Sequence, residues 1–476
     1  MDEVVLAVDV GSTRAKAQYF DSGGRPLGPP VRARMPIDSD GTADPRAVAA
    51  AVDSVVDGAL EQEGRSGPPA AVALSCAWHG LVGVGKDGSP TTVLSTWQHT
   101  GPEIERAAVE LRRRLPDPAA VMRRTGAPIH PSFPAVRLRA LAATCPEAVA
   151  ATVRWCSTAE WLETRWFAAA PGPSSSMASG TGCYDQEAGG WDGEVLDAAG
   201  VTSGTFVPID DSPRNALDGA YRKRWPDLAG AVWLPAVGDG ACALVGTGCA
   251  GSRAALTVGT TAAVRVLAPP TARAGRPTAL FAYLLDPGRL VLGAARSNAG
   301  NLLEWAGRVL RADVDDPVAA ATARPPGSHG LVADPALAGE RSPHWPLVAT
   351  GSVSGLRHRS TALDLVQAFL ESAVLGLADG LRALEAYVGP VTLVASGGAV
   401  SASAGWPHLL ADATGHPVVL SRVAEASARG AALLALERLG GPAVAASTAD
   451  DGEIVEPDTE RAVLFSRMPR TARGAG

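Results

Sequence analysis

The chain carries one short pattern twice, half a chain apart. "AVDVGSTRAKA" (7–17) and "ALTVGTTAAVR" (255–265) each read as an apolar strand, a Gly-hydroxyl-hydroxyl turn and a second strand. A turn this tight between two apolar runs predicts a β-hairpin. Two copies predict two similar domains that face each other, with one ligand clasped between equivalent turns. The length of 476 residues agrees, because single hydrophobic cores stop growing well below it.

Other segments fill in an α/β pattern. Strands are expected at 4–10, 15–20, 71–75 and from 82 into an Asp-Gly turn. Further strands are expected across 255–267, 280–294, 391–395 and 417–421. Helices are expected at 44–61, opened by Asp44-Pro45, then near 103–115, 134–143 and 158–167. The second half predicts helices at 300–311, 404–414 and 425–438, and a long one at 361–387 with Leu365, Phe369, Leu370, Val374, Leu377 and Leu381 on one face. Residues 168–176 read as a loop and 466–476 as a disordered tail.

Composition removes several classes of function. A net charge of −7 disfavours a nucleic-acid binder, and no charge-free run is long enough to span a membrane. The six cysteines form no C-x-x-C pair, so they read as small buried hydrophobes in a reducing, cytoplasmic compartment rather than as a zinc site. The N-terminus lacks the basic and apolar regions of a signal peptide. "GLVGVGKD" (80–87) is one residue short of a P-loop, but Asp87 stands where the Ser/Thr belongs and the stretch enters a hairpin turn, not a helix.

The repeated turns have a chemistry of their own. Gly11 and Gly259 allow close approach of a ligand, and the consecutive N–H groups after them form an anion-binding concavity. Ser12, Thr13, Thr260 and Thr261 add hydroxyl donors, and Arg14 and Lys16 add positive charge. Asp9 precedes the first turn and cannot face a phosphate unless a cation sits between them, which points to Mg²⁺ held through water. A third turn, "VASGGAV" (394–400), suits an adenine or ribose lying against the backbone of Gly397, Gly398 and Ala399.

Taken in order, these motifs resemble the FGGY family of carbohydrate kinases. "DVGSTRAK" and "LTVGTTAAVR" are similar to its two phosphate hairpins, and "SCAWHGLVGVGKDGSP" to its sugar-site segment. "VGDGACALVGTG" (237–248) resembles the segment with the catalytic acid. "RTGAPIHPSFPAVRL", "SMASGTGCYD", "RSNAGNLLEW" and "LAGERSPHW" resemble gluconokinase-like segments, while "ASGGAV" and "EASARGAALLA" complete the adenosine side.

The resemblance implies two ribonuclease H-like (actin/hexokinase-like ATPase) domains of α/β architecture around a cleft, divided as 1–246 and 247–465. It implies an ATP- and Mg²⁺-dependent transfer of phosphate to a hydroxyl of a sugar acid, ketose or polyol, gluconate first. The alternatives are a xylulose or other polyol kinase, or a non-catalytic ATP- or sugar-binding protein. It makes Asp239 the base, and places Trp78, His79, Gly80, Trp97, Arg296, Ser297 and Asn298 at the acceptor and Gly300 and Glu304 near the adenosine. A homodimer would be ordinary for such a kinase. Four departures bear on the acceptor: His99 and Gly101 replace an acid and an Arg, Ser174 an Asp, and Arg137 a Lys.

Overall fold

Val5–Val10 (β1) is buried at every position and leads through the Gly11-Ser12-Thr13 turn into Arg14–Phe20 (β2). In this computed structural model, residues 3–62, 67–214, 216–273, 275–310, 315–444 and 449–469 are described. Val31–Arg34 (β3) continues antiparallel to β2, while Ala71–Cys76 (β4) runs parallel to β1 on its other side. The short strands Val232–Trp233 (β5) and Val237–Gly238 (β6) both pair with β4, giving the order β5-β4-β1-β2-β3 with β6 beside β4. Burial on both faces explains why β1 and β4 read as continuous apolar runs rather than alternating ones.

The second half repeats this plan. Arg253–Val258 (β7) turns into Ala262–Ala268 (β8). Phe281–Asp286 (β9) and Arg289–Arg296 (β10) extend the sheet on the β8 side. On the other side Thr392–Ser396 (β11) and Val418–Ser421 (β12) run parallel to β7, and Asp451–Val455 (β13) closes the edge. The order is β9-β10-β8-β7-β11-β12-β13, and its central five strands reproduce the first sheet's order. The duplicated hairpin is thus the centre of two duplicated sheets, as the repeat predicts.

Helices cover the sheets and carry the turns. Pro45–Leu60 (α1) packs on β2 and β3, capped by Asp44, which accepts from Arg46 N. Residues 168–174 form the expected loop, which ends two residues early because Ser174 Oγ caps Met177 N and opens the helix Ser175–Ser179 (α2). Asp239–Gly246 (α3) starts directly after β6. Gly300–Val309 (α4), Ala362–Val388 (α5) and Gly405–Thr414 (α6) belong to the second half. Thr361 and Asp364 close a capping box on α5, whose apolar stripe lies on β10 and on α6. Ala426–Arg438 (α7) is followed by Thr459–Arg467 (α8). The helices Pro118–Thr125 and Pro146–Ala151 were not legible as periodic patterns, being only 8 and 6 residues long. The expected disordered tail begins inside α8 at 466–467, and 470–476 lie outside the described residues.

One contact crosses the linear division of the chain. Although α7 falls within 247–465, it packs on β1 and β4 of the first sheet and along α3. The two helices touch backbone to backbone: a Cβ at position 246 would lie 1.8 Å from Ala426 O, and one at 430 would lie 1.8 Å from Cys242 O. Only glycine permits that separation. Gly430→Val should therefore cost about 2–4 kcal/mol, read as a shift in denaturant midpoint.

Candidate active site

Strand register places the chemistry. Asp9 pairs with Ser75 across β1 and β4, and Ser75 pairs with Val237 of β6. Asp239 follows two residues later as the first residue of α3, so both acids border one cleft of roughly 610 Å³ between the sheets. The turns 11–13 and 259–261 line the same cleft, together with Arg14 and Lys16. Each turn closes on itself, Gly11 N donating to Arg14 O at 3.1 Å and Gly259 N to Thr261 O at 2.8 Å.

Asp9 is only 5% exposed and accepts from Ser75 Oγ at 2.8 Å, with Lys16 Nζ 3.8 Å from its other oxygen. Burial pushes its carboxyl up to about 6, opposed by Lys16 and by the Ser75 hydrogen bond, and helped by the negative charges of Asp239 and Glu425. Glu425 is held lower because, despite burial, it accepts from Lys16 at 2.6 Å and from Arg32 at 2.7 Å. In the second hairpin the counterpart of Asp9 is Thr257, whose hydroxyl is buried without a partner. The pair of turns is symmetric in backbone but asymmetric in charge.

Asp239 is raised by burial and pulled back chiefly by the Arg265 guanidinium, then by backbone hydrogen bonds to Gly240 and Trp78 and by Arg341. Its glycine neighbours have a role other than leaving room for ligand. A Cβ at 238 would sit 1.9 Å from the Trp78 indole, and one at 240 would sit 2.9 Å from both Trp78 and Arg265 Nε. Gly238 and Gly240 therefore seat the Trp78 ring, whose Nε1 donates to Ser176 O at 2.9 Å.

Beyond Asp239 the cleft is walled by aromatic rings. Trp78, Trp97, Phe133, Phe281, Tyr283 and Trp345 line it, with Phe281 and Tyr283 stacked at 4.5 Å. His79 lies among them, its Nδ1 2.5 Å from Gly180 O. A carbonyl can only accept, so Nδ1 carries the proton and Nε2 is left as an acceptor. Burial pushes this imidazole down to about 3, so it stays neutral. Trp97 Nε1 donates to Ser12 Oγ at 2.8 Å, which ties the aromatic wall to the first turn.

Several expected acceptor residues lie elsewhere. Arg296 is bound to Glu340 at 2.6 Å and to Ser342 O at 2.8 Å, against α5 at Gly376. Ser297 N donates to Glu340 Oε1, and Asn298 Nδ2 donates to Gly339 O at 2.7 Å. These three residues anchor the 337–345 loop instead of facing the cleft, and that loop delivers Arg341 into it. Gly80 lies against Thr158 and is absent from the cleft lining. His99 bonds Ser95 Oγ at 2.9 Å, leaving Gln98 as the residue that lines the cleft. Ser174 is 2% exposed and hydrogen-bonds Ala236 O, and Arg137 is spent on the carbonyls of Thr96, Ser132 and His79. The residues that sequence reasoning missed are Arg265, Arg341, Phe133, Phe281, Tyr283 and Trp345.

A second cavity, of about 570 Å³, opens on the far side of the 259–261 turn. Gly259 and Thr260 line both spaces, and Gly300, Glu304, Gly398 and Ala399 line the second. Gly397, with φ at 108°, packs against Val258 O and shapes the turn from behind. A ligand with an extended polyphosphate can thus thread past one turn, with its base in one cavity and its terminal phosphate facing Asp239. Among the described residues no group of three or more His, Cys, Asp or Glu is placed to hold a metal by itself. No described helix is long and apolar enough to cross a membrane.

Two ribonuclease H-like domains, with their paired hairpin turns on one cleft, have the architecture of the actin/hexokinase-like class of phosphotransferases. Residues 4–240 match the N-terminal domain, and 254–437 the C-terminal domain, of the FGGY family of carbohydrate kinases. The chain belongs to that family. A gluconokinase of Bacillus subtilis (strain 168) is 27% identical over 92% of this chain and 88% of its own length. A xylulose kinase of Streptomyces rubiginosus is 28% identical over 86% of this chain and 85% of its own length. The crystal structure of a gluconate kinase from Lactobacillus acidophilus superposes with a TM-score of 0.85 at 24% identity, covering 98% of this chain and 96% of that one. The chain is an enzyme that uses ATP to phosphorylate a hydroxyl of a small sugar-type substrate.

Proposed function

We propose that Asp239 is the base of this reaction and that the two turns hold the phosphates of ATP, with a sugar acid, gluconate first, as acceptor. The observation that carries this is the meeting of Asp239 and both turns on one cleft, with a ring-walled space beyond the acid. As the acceptor oxygen bonds to the γ-phosphorus, Asp239 takes its proton and the bond to the bridging oxygen of ADP breaks. Ser12, Thr13, Thr260, Thr261 and the backbone of Gly11 and Gly259 orient the chain of phosphates, and Arg14 and Lys16 offset its charge. The neutral His79 accepts from an acceptor hydroxyl, while Trp78 and Trp97 pack on its C–H faces. Gly300, Glu304, Gly398 and Ala399 border the nucleoside.

Asp9 fits a Mg²⁺ carried on the nucleotide. Its buried carboxyl is costly without a cation, and one carboxylate beside phosphate and water is the kind of donor set Mg²⁺ takes. When bound, Mg²⁺ neutralises charge on the transferring phosphate. The division at residues 246 and 247 stays part of this reading, with α7 added to the first unit's packing. Six unpaired cysteines, five of them buried, support a reducing, cytoplasmic setting.

A screen of ADP release over aldonates, ketoses and alditols tests the acceptor. Gluconate turnover is expected, and efficient turnover of xylulose alone would replace it with the ketose reading that the Streptomyces relative favours. The tie between wall and turn has its own test. Trp97→Phe keeps an aromatic ring but removes the donor to Ser12, so KM for ATP should rise by about 2- to 10-fold.

A further inference from the structure

We infer that Arg341, with Arg265 beside it, is the group that recognises the acid end of the acceptor. This rests on the sugar-acid kinase reading above and names the residues by which that acceptor would be told from a neutral one.

The charges lining the cleft do not balance at the acceptor end. Lys16 and Arg32 both pair with Glu425 on the nucleotide side. Arg265 and Arg341 lie beyond Asp239, among the aromatic rings, and neither forms a salt bridge with a carboxylate among the described residues. Arg265 opposes the charge of Asp239, and the acid next to Arg341 in the chain, Glu340, is committed to Arg296 at 2.6 Å and to the backbone N–H groups of Ser297 and Arg341, which leaves two guanidinium groups against one acid. A third guanidinium, Arg137, is buried behind His79 and meets only carbonyls. His79 is uncharged, and Asp239 is the sole acid on this part of the lining.

The two arginines are also short of hydrogen bonds. The Nε–H of each is buried without a partner. Arg341 is held over the Trp97 ring at 5.4 Å and gives one bond, from Nη2 to Arg296 O at 2.8 Å. Burial pushes its guanidinium down to about 10 and lowers that of Arg265 too. Desolvated cations with spare donors are expensive unless an anion arrives to use them. A planar carboxylate matches a guanidinium in charge and shape. The ligand this end fits is therefore a polyhydroxy carboxylate, with its acid group at Arg341 and Arg265 and a hydroxyl at Asp239.

The test compares D-gluconate with glucitol, the neutral alditol of the same chain length, by kcat/KM in a coupled ADP assay. The wild type should favour gluconate. Arg341→Gln should lower the ratio of kcat/KM for gluconate to that for glucitol by about 10- to 100-fold, whatever it does to glucitol turnover itself, with Arg341→Lys in between. The acid-to-neutral ratio within one variant does not depend on how much of the protein folds. Equal losses on both acceptors, or a rise in KM confined to ATP, would assign these arginines to phosphate and overturn the inference. Glucitol or xylulose turned over as well as gluconate by the wild type would also overturn it, while leaving the kinase reading intact. No ADP release with any acceptor, despite ATP binding, would overturn the roles proposed for Asp239 and the cleft, and this inference with them.

Discussion

Asp239→Asn is expected to reduce acceptor-dependent ADP formation by about 10²- to 10⁴-fold while leaving the affinity for ATP within a few-fold of wild type. The amide occupies the same first turn of α3 and can still accept from Gly240 N, so the main thing it loses is the capacity to take a proton. Burial raises this carboxyl and the Arg265 guanidinium opposes the rise. A base must be ionised to work, so kcat/KM should fall as pH is lowered through that raised value. Arg265→Gln should move the acidic limb to higher pH, because the opposing charge is gone. A rate–pH profile of the two variants beside the wild type checks both points. Turnover retained in Asp239→Asn would remove Asp239 from the role of base.

Asp9→Asn should separate stability from activity, raising one and lowering the other. The folded carboxyl lies at about 6 against an ordinary 3.8, so between those values the folded chain holds a proton that the unfolded chain has released. Stability of the ligand-free protein therefore falls as pH rises through about 4 to 6. The amide has no charge to bury and still accepts from Ser75. It should stabilise the ligand-free protein by about 1–3 kcal/mol at pH 7, and the pH dependence in that window should flatten. The same substitution should weaken Mg²⁺-dependent ATP turnover by about 10- to 100-fold. Thermal melts from pH 4 to 8, paired with kinetics, decide it. A melting temperature that falls at pH 7 would mean that Lys16 outweighs burial at this site.

What the sequence disclosed follows from the range of the interactions involved. The two hairpins were visible because turn chemistry is local: Gly followed by two hydroxyl residues between apolar runs leaves few backbone choices. Asp9 stood out as a carboxylate in a run otherwise fit only for a core. Asp239 needed the whole ordered series of motifs, since a Gly-Asp-Gly turn says little by itself. The ring-walled end of the cleft was hidden because it is assembled from the residues just after β4, the segment around Phe133, β8, β9 and the 337–345 loop, which no local pattern connects. Arg265 looks like the polar position of an alternating strand, and nothing nearby in sequence says that it faces another domain's acid. The exchange of Arg296 for Arg341 has the same origin. Both lie in segments quoted for the resemblance, and only the Glu340 salt bridge decides which of them is free for the cleft. The reason for Gly238 and Gly240 was equally hidden, because their neighbour, the Trp78 ring, comes from 160 positions earlier in the chain.

The bare crossing of α3 on α7 works as a bolt between distant parts of the chain. Gly246 and Gly430 let the two backbones touch, and Asp239 sits at the other end of α3, about 10 Å away at 1.5 Å per residue. Because α7 also packs on β1 and β4, the crossing fastens α3 to the sheet that carries Asp9. A tilt of about 10° at the crossing would swing the Asp239 carboxylate through about 2 Å. Backbone against backbone leaves no flexible side chain to take up such a tilt, so the spacing of the two acids is fixed by a contact far from either of them.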